Sequence, residues 1–98
     1  MKEFKQYFKG KSILITGAAG TVGQELVRRL VRYKPKEIIA LDNNESELFF
    51  LLEKYNGNLK GYVGDITNRE FLFRLIEGID IVFHAAALKH VIIGEKRP

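Results

Sequence analysis

The chain contains no cysteine, which excludes disulfides and thiolate metal sites and fits a reducing compartment, here expected to be the cytoplasm. No metal site of any kind is expected. No apolar run approaches the roughly 18 residues that a membrane span requires. Met1-Lys2-Glu3-Phe4 is charged where a signal sequence would turn apolar. Internal repeats and low-complexity segments are absent as well. The basic residues are scattered, with no aromatic stripe among them, which argues against nucleic acid as a partner. The net charge of +4 is modest. Solvated helix faces account for it, with attraction for a phosphorylated ligand as the functional alternative. Ninety-eight residues suffice for one small domain at most. A domain of that length buries only about 60–65% of its unfolded surface, so its stability margin is thin.

What the chain does have is the run Ile13-Leu14-Ile15-Thr16-Gly17-Ala18-Ala19-Gly20-Thr21-Val22-Gly23. An apolar strand leads into glycines spaced G-x-x-G-x-x-G, and an amphipathic helix follows at once. That arrangement suits a pyrophosphate. Gly17 permits a sharp turn, Gly20 lets backbone approach the phosphates without a Cβ in the way, and Gly23 lets the helix lie close to the sheet. Ala19, Thr21 and Val22 fall in the same turn and are assigned to the same cradle. The free N–H groups and positive dipole end at the helix start then face the anion. Asp42 stands nineteen residues past Gly23, at the end of the next apolar run. With it, the dinucleotide-binding fingerprint is complete.

Strands and helices alternate along the chain. Ser12–Thr16 reads as the first strand. Val22, Leu26, Leu30 and Tyr33 recur at helical spacing beside Val27 and Val31, with Arg28, Arg29 and Arg32 on the other face. This helix should stop before Pro35. Glu37–Asp42 reads as the second strand. Asn44 then caps a second helix and forms a capping box with Glu47. Leu48, Leu51, Leu52 and Tyr55 make its apolar face, and Asn56-Gly57-Asn58 ends it. Leu59–Val63 is the third strand. Thr67 and Glu70 make another box ahead of Phe71, Leu72 and Leu75, and Gly78 stops that helix. Ile79–His84 is the fourth strand, followed by the small residues Ala85, Ala86 and Ala87. This βαβαβαβ order implies an α/β fold, a Rossmann-like parallel sheet with strand order 3-2-1-4, the first half of a doubly wound fold. In Met1–Lys11, Phe4, Tyr7 and Phe8 suit the stripe of a short helix packed on the domain.

Thr16–Leu26, Asp42-Asn43-Asn44-Glu45 and His84-Ala85-Ala86-Ala87-Leu88-Lys89-His90-Val91 together resemble the extended short-chain dehydrogenase/reductases. More closely, they are similar to the nucleotide-sugar (UDP-N-acetylglucosamine-type) 4,6-dehydratases of capsular-polysaccharide and flagellar-glycan biosynthesis. The likeness covers about Gly10 to Pro98, and Ile92 departs from it where that family has proline. Asp42 is read as the acceptor for the adenosine ribose hydroxyls. Its charge repels a 2′-phosphate and its neighbours Asn43 and Asn44 carry none, so NAD is favoured and NADP stays open. The resemblance implies that Asp65 binds the adenine amino group, that Ile66 packs on the ring, and that Ala85, Ala86 and Ala87 line the cofactor. Lys89 and His90 border the nucleotide-sugar pocket in that family; a substrate contact and a solvated loop both remain open. His84 reads as a structural hydrogen-bonding residue. Tyr7 and Lys11 have the spacing of that family's catalytic pair, but they precede the first strand, on the wrong side of the fold.

The family's reaction removes water from a nucleotide sugar through an internal redox step. It needs an acid/base pair and a Tyr-x-x-x-Lys helix beyond the fourth strand, none of which is present. Residues 1–98 therefore read as the N-terminal dinucleotide-binding part of a longer enzyme, with no catalytic residue of its own. The alternatives are a fragment of a nucleotide-sugar epimerase or reductase, and a stand-alone NAD-binding regulatory module. The outer edge of the fourth strand would be left unpaired, so self-association is expected, through this edge or through the face left bare by missing helices.

Overall fold

The computed structural model describes residues 6–55 and 57–85. Four strands, β1 (Ser12–Thr16), β2 (Glu37–Asp42), β3 (Leu59–Val63) and β4 (Ile81–His84), alternate with three helices. The helices are α1 (Thr21–Leu30), α2 (Glu45–Lys54) and α3 (Arg69–Ile76). The sheet is parallel throughout, in the order β3-β2-β1-β4, as the alternating pattern implied. β1 is buried along its whole length, which is why it reads as an unbroken apolar run. Ile13, Ile15, Ile38 and Ala40 face one side, where Val27 and Leu30 of α1 and Leu48 and Leu51 of α2 cover them. Leu14, Ile39 and Leu41 face the other side and meet Phe71, Leu72 and Leu75 of α3.

The strands align so that Thr16 sits opposite Leu41 on one flank and His84 on the other, with Asp42 opposite Val63. Their carboxyl ends therefore share one rim of the sheet. The chain leaves β1 toward β2 and β3, then crosses back to β4 on the opposite flank. The rim at that reversal of direction is where open α/β sheets bind ligands.

Local details differ from the sequence reading in four places. Along α1 the buried line is Gly23, Val27 and Leu30; Val22 is 45% exposed. The helix is rolled because Gly23, having no side chain, makes the approach to the sheet. Asn44 caps α2 by accepting from the Glu47 N–H at 3.1 Å, but its own N–H donates to Asp42 Oδ1 at 2.9 Å rather than to Glu47. α3 is capped by Asn68, which accepts from the Phe71 N–H at 3.2 Å, not by Thr67, whose N–H is taken by Asp65. β4 begins at Ile81, because the Ile79 N–H closes the end of α3 on Ile76 and Asp80 pairs with Ser12. The Asp80 N–H donates to the Ser12 carbonyl and Asp80 Oδ2 accepts from the Ser12 N–H, both at 2.8 Å.

Of the amino-terminal stripe, Phe8 is buried and stacks on Tyr33 at 5.7 Å. Tyr7 stays exposed with Lys11 Nζ over its ring, and Phe4 lies outside the described residues. After α1 a single 3-10 turn, Val31–Tyr33, leads to Lys34 at φ 54. Helical geometry is disfavoured there because Pro35 follows. Part of the basic charge on α1 is neutralised locally. Arg28 and Arg29 both donate to the Glu25 carboxylate, which these bonds hold at about 2.

A methyl group at Gly23 would lie 2.2 Å from the Gly17 carbonyl oxygen and 2.6 Å from Ala18 Cα, both backbone atoms. Gly23→Ala must push α1 off the sheet. It is expected to cost about 3 kcal/mol or more, measured as a fall in the urea midpoint; an unchanged midpoint would refute the close packing.

Candidate functional site

A cavity of about 430 Å³ opens at the carboxyl rim of the sheet. The turn after β1 supplies Gly17, Ala19, Gly20, Thr21, Val22 and Gly23. The end of β2 and start of α2 supply Leu41, Asp42, Asn43, Asn44 and Glu47, and the segment after β3 supplies Gly64, Asp65, Ile66 and Thr67. Ala85 closes it from the end of β4. Every site residue expected from the sequence that falls among the described residues lines this cavity; Ala86, Ala87, Lys89 and His90 lie outside the described residues. The sequence reading missed Leu41, Asn44, Glu47, Gly64 and Thr67 as walls. Asn44, Glu47 and Thr67 were legible only as capping residues.

The turn is built to leave donors free. Gly17 adopts φ 68, a conformation open to glycine, and its carbonyl accepts from the Gly20 N–H at 3.1 Å. Helical bonding in α1 begins with the Gln24 N–H on the Gly20 carbonyl at 2.9 Å. Thr21, Val22 and Gly23 therefore have no earlier helical carbonyl for their N–H groups. Gly20, the N-cap, offers no side chain, and no acidic residue stands in the first turn. Three residues whose N–H groups lack a helical acceptor, at a helix start with no acidic residue in its own first turn, thus line the cavity. Around Gly20 the protein itself has room: a Cβ there would meet its nearest neighbour, the Gly17 carbonyl oxygen, at an ordinary 3.4 Å. The missing side chain at Gly20 matters to whatever enters the cavity, whereas the missing one at Gly23 matters to the fold.

Asp42 ties the rim together. Its Oδ2 accepts from the Ala19 N–H and its Oδ1 from the Asn44 N–H, each at 2.9 Å. Its carbonyl accepts from the Gly64 N–H at 3.0 Å. A carboxylate has about four acceptor positions, so two remain for a ligand. Gln24 Nε2 donates to the Ala19 carbonyl at 2.7 Å, bracing the turn from the helix side. His84 Nδ1 lies 3.0 Å from the buried Thr16 hydroxyl, a link between strand ends that agrees with a structural role.

Asp65 Oδ1 accepts from the Thr67 N–H at 2.9 Å. Thr67, through its backbone bond first, holds the exposed Asp65 carboxyl below its ordinary range. Since the folded-state value is depressed, the stabilisation is present above the unfolded carboxylate range and is lost as pH falls through the folded value. An NMR titration should place the Asp65 midpoint below the ~3.9 of an unperturbed aspartate. A midpoint at or above that value would show that the Thr67 bond is not made in solution.

Residues 13–98 match the family described as polysaccharide biosynthesis protein. An uncharacterised membrane protein of Methanocaldococcus jannaschii is 42% identical over 99% of this chain and 29% of its own length. The UDP-N-acetylglucosamine 4,6-dehydratase (inverting) of Campylobacter jejuni serotype O:23/36 is 38% identical over 93% of this chain and 28% of its own. Among solved structures, the Bordetella bronchiseptica enzyme WbmF in complex with NAD+ superimposes with a TM-score of 0.68 at 26% identity. The match covers 80% of this chain and 23% of WbmF. The chain thus spans less than a third of the length of these relatives. With a Rossmann-like sheet, a glycine turn bare of acid and a family match across nearly its whole length, the chain belongs to the polysaccharide biosynthesis protein family.

Proposed function

We propose that residues 1–98 form the N-terminal dinucleotide-binding part of a longer nucleotide-sugar 4,6-dehydratase of polysaccharide biosynthesis, with NAD as cofactor and no catalytic residue in this stretch. The observation that carries this reading is the meeting of the acid-free start of α1 with the Asp42 carboxylate in one cavity. The residues fit the group. A pyrophosphate would take the N–H groups of Thr21, Val22 and Gly23 and lie over Gly20, where nothing projects. Asp42 would accept from the adenosine ribose hydroxyls, beside the uncharged Asn43. Asp65 and Ile66 would hold the adenine, and Ala85, with Ala86 and Ala87, would keep the wall thin. Lys89 and His90 would border the nucleotide-sugar substrate. NAD, when bound, supplies a hydride acceptor; this chain's residues only bind and orient it. The NAD+ complex of WbmF and the activity named for the Campylobacter relative support the reading. No helix among the described residues is long and apolar enough to cross a membrane, and we place this part in the cytoplasm.

Calorimetry should show NAD binding and no binding of a UDP-sugar to this chain. Gly20→Ala should weaken NAD by about 10- to 100-fold, the worth of one hydrogen bond to a charged group, with the unfolding midpoint little changed. NAD affinity equal in wild type and Gly20→Ala would sink the assignment.

The same reading includes self-association. β3 and β4 are the sheet's edges among the described residues. β3 carries Lys60, a charge that discourages pairing; β4 is Ile81-Val82-Phe83-His84, with Val82 43% exposed. Copies of the chain would pair along β4. Light scattering at high concentration should report species larger than a monomer, and a monodisperse monomer would count against this.

A further inference from the structure

Two helix starts open on the same cavity, and they are built in opposite ways. α1 begins at a glycine with no side-chain cap and no acidic residue in its first turn. α2 begins at Asn44, whose side chain already accepts from the Glu47 N–H, and its first turn carries Glu45 and Glu47. An uncompensated helix start attracts anions. At α1 nothing in the first turn opposes that attraction, whereas at α2 a cap and two carboxylates do. Of those two carboxylates, Glu47 belongs to the cavity wall and Glu45 does not. The titratable groups lining the cavity are Asp42, Glu47 and Asp65, and no lysine, arginine or histidine is among the described residues that line it.

We infer that Glu47 is a specificity-determining residue, excluding a 2′-phosphate from the ribose end of the site and so discriminating NAD from NADP together with Asp42. This rests on the cofactor reading above. Asp42 would accept from the ribose hydroxyls, and the Asn44 N–H already donates to it. Asp42 and Glu47 line the same wall of the cavity, so a charge added beside Asp42 would enter the field of Glu47 and find no counter-charge among the described lining residues. The effect is one of field rather than contact, so it scales with ligand charge and is screened by salt. NAD, whose ribose is neutral at that position, would scarcely feel it.

The test is a set of dissociation constants for NAD and NADP on this chain, by calorimetry, at low and high salt. Wild type should prefer NAD. Glu47→Gln should tighten NADP by about three- to tenfold with little effect on NAD, and Glu47→Lys should tighten it further. Both gains should shrink at high salt. Glu47→Asp should keep the preference. Glu45→Gln, which removes the same charge from the same turn but outside the cavity, should move the ratio less. An unchanged NADP-to-NAD ratio in Glu47→Gln and Glu47→Lys, with NAD still bound, overturns the inference alone. An equal shift in Glu45→Gln overturns it too, since the helix start as a whole would then be responsible. If wild type binds neither dinucleotide, the cofactor reading falls and takes the inference with it.

Discussion

The contact on which the rest of the structure depends is the backbone of α1 resting on the turn that follows β1. At Gly23 there is no room for even one methyl group between helix and turn. That contact fixes the angle at which α1 leaves the sheet, and the angle determines where the helix start points. It also rolls the helix, so that Val27 and Leu30 reach the core while Val22 swings out to the cavity. The Ala19 N–H is delivered to Asp42 by the same placement, and Asp42 in turn orders the start of α2. Packing at one glycine thus propagates through two hydrogen bonds into the shape of the whole rim.

The fold was legible in the sequence wherever a signal spans a whole element. β1 and β2 are apolar runs bounded by turn residues because helices cover both their faces, and the strand order follows from the alternation of strands and helices. What was not legible depends on rotation by a fraction of a turn or on competition between neighbours. Val22 and Val27 have equal claims on a helical face in sequence; only the glycine between them in space decides. Thr67 and Asn68 are both good caps, and Asp65 settles the matter by taking the Thr67 N–H. The cavity was legible at the glycine turn and at Asp42, where residue type and spacing carry the chemistry. Leu41, Asn44, Glu47, Gly64 and Thr67 became walls only through the parallel register, which brings the ends of β1, β2 and β3 to one level.

The two faces of the sheet are unequally covered. Among the described residues, two helices and Phe8 pack on one, while α3 with Ile66 and Ile79 serves the other. The buried hydroxyls of β1 are satisfied locally. Ser12 Oγ donates to Glu37 at 3.0 Å, and Thr16 Oγ1 lies within hydrogen-bond reach of His84 and the Phe83 carbonyl. Both point from β1 toward a neighbouring strand, so the central strand needs no water to satisfy them. Glu37 also meets Lys60 of β3 at 3.6 Å, which carries the polar link across β2. This half-exposed ion pair adds little energy; the backbone ladders set the register of the three strands.

β4 is fastened to β1 outside its ladder at both ends, by the reciprocal Asp80–Ser12 pair before it and by the Thr16–His84 contact at its close. Edge strands ordinarily fray from their tips, since a terminal residue can leave without disturbing the others. With both tips tied to the most buried strand of the sheet, β4 has no loose end from which to peel. The amide protons that β4 turns toward β1 would then exchange with solvent only when the two strands part along their whole length, so the strand at the margin would share the lifetime of the centre.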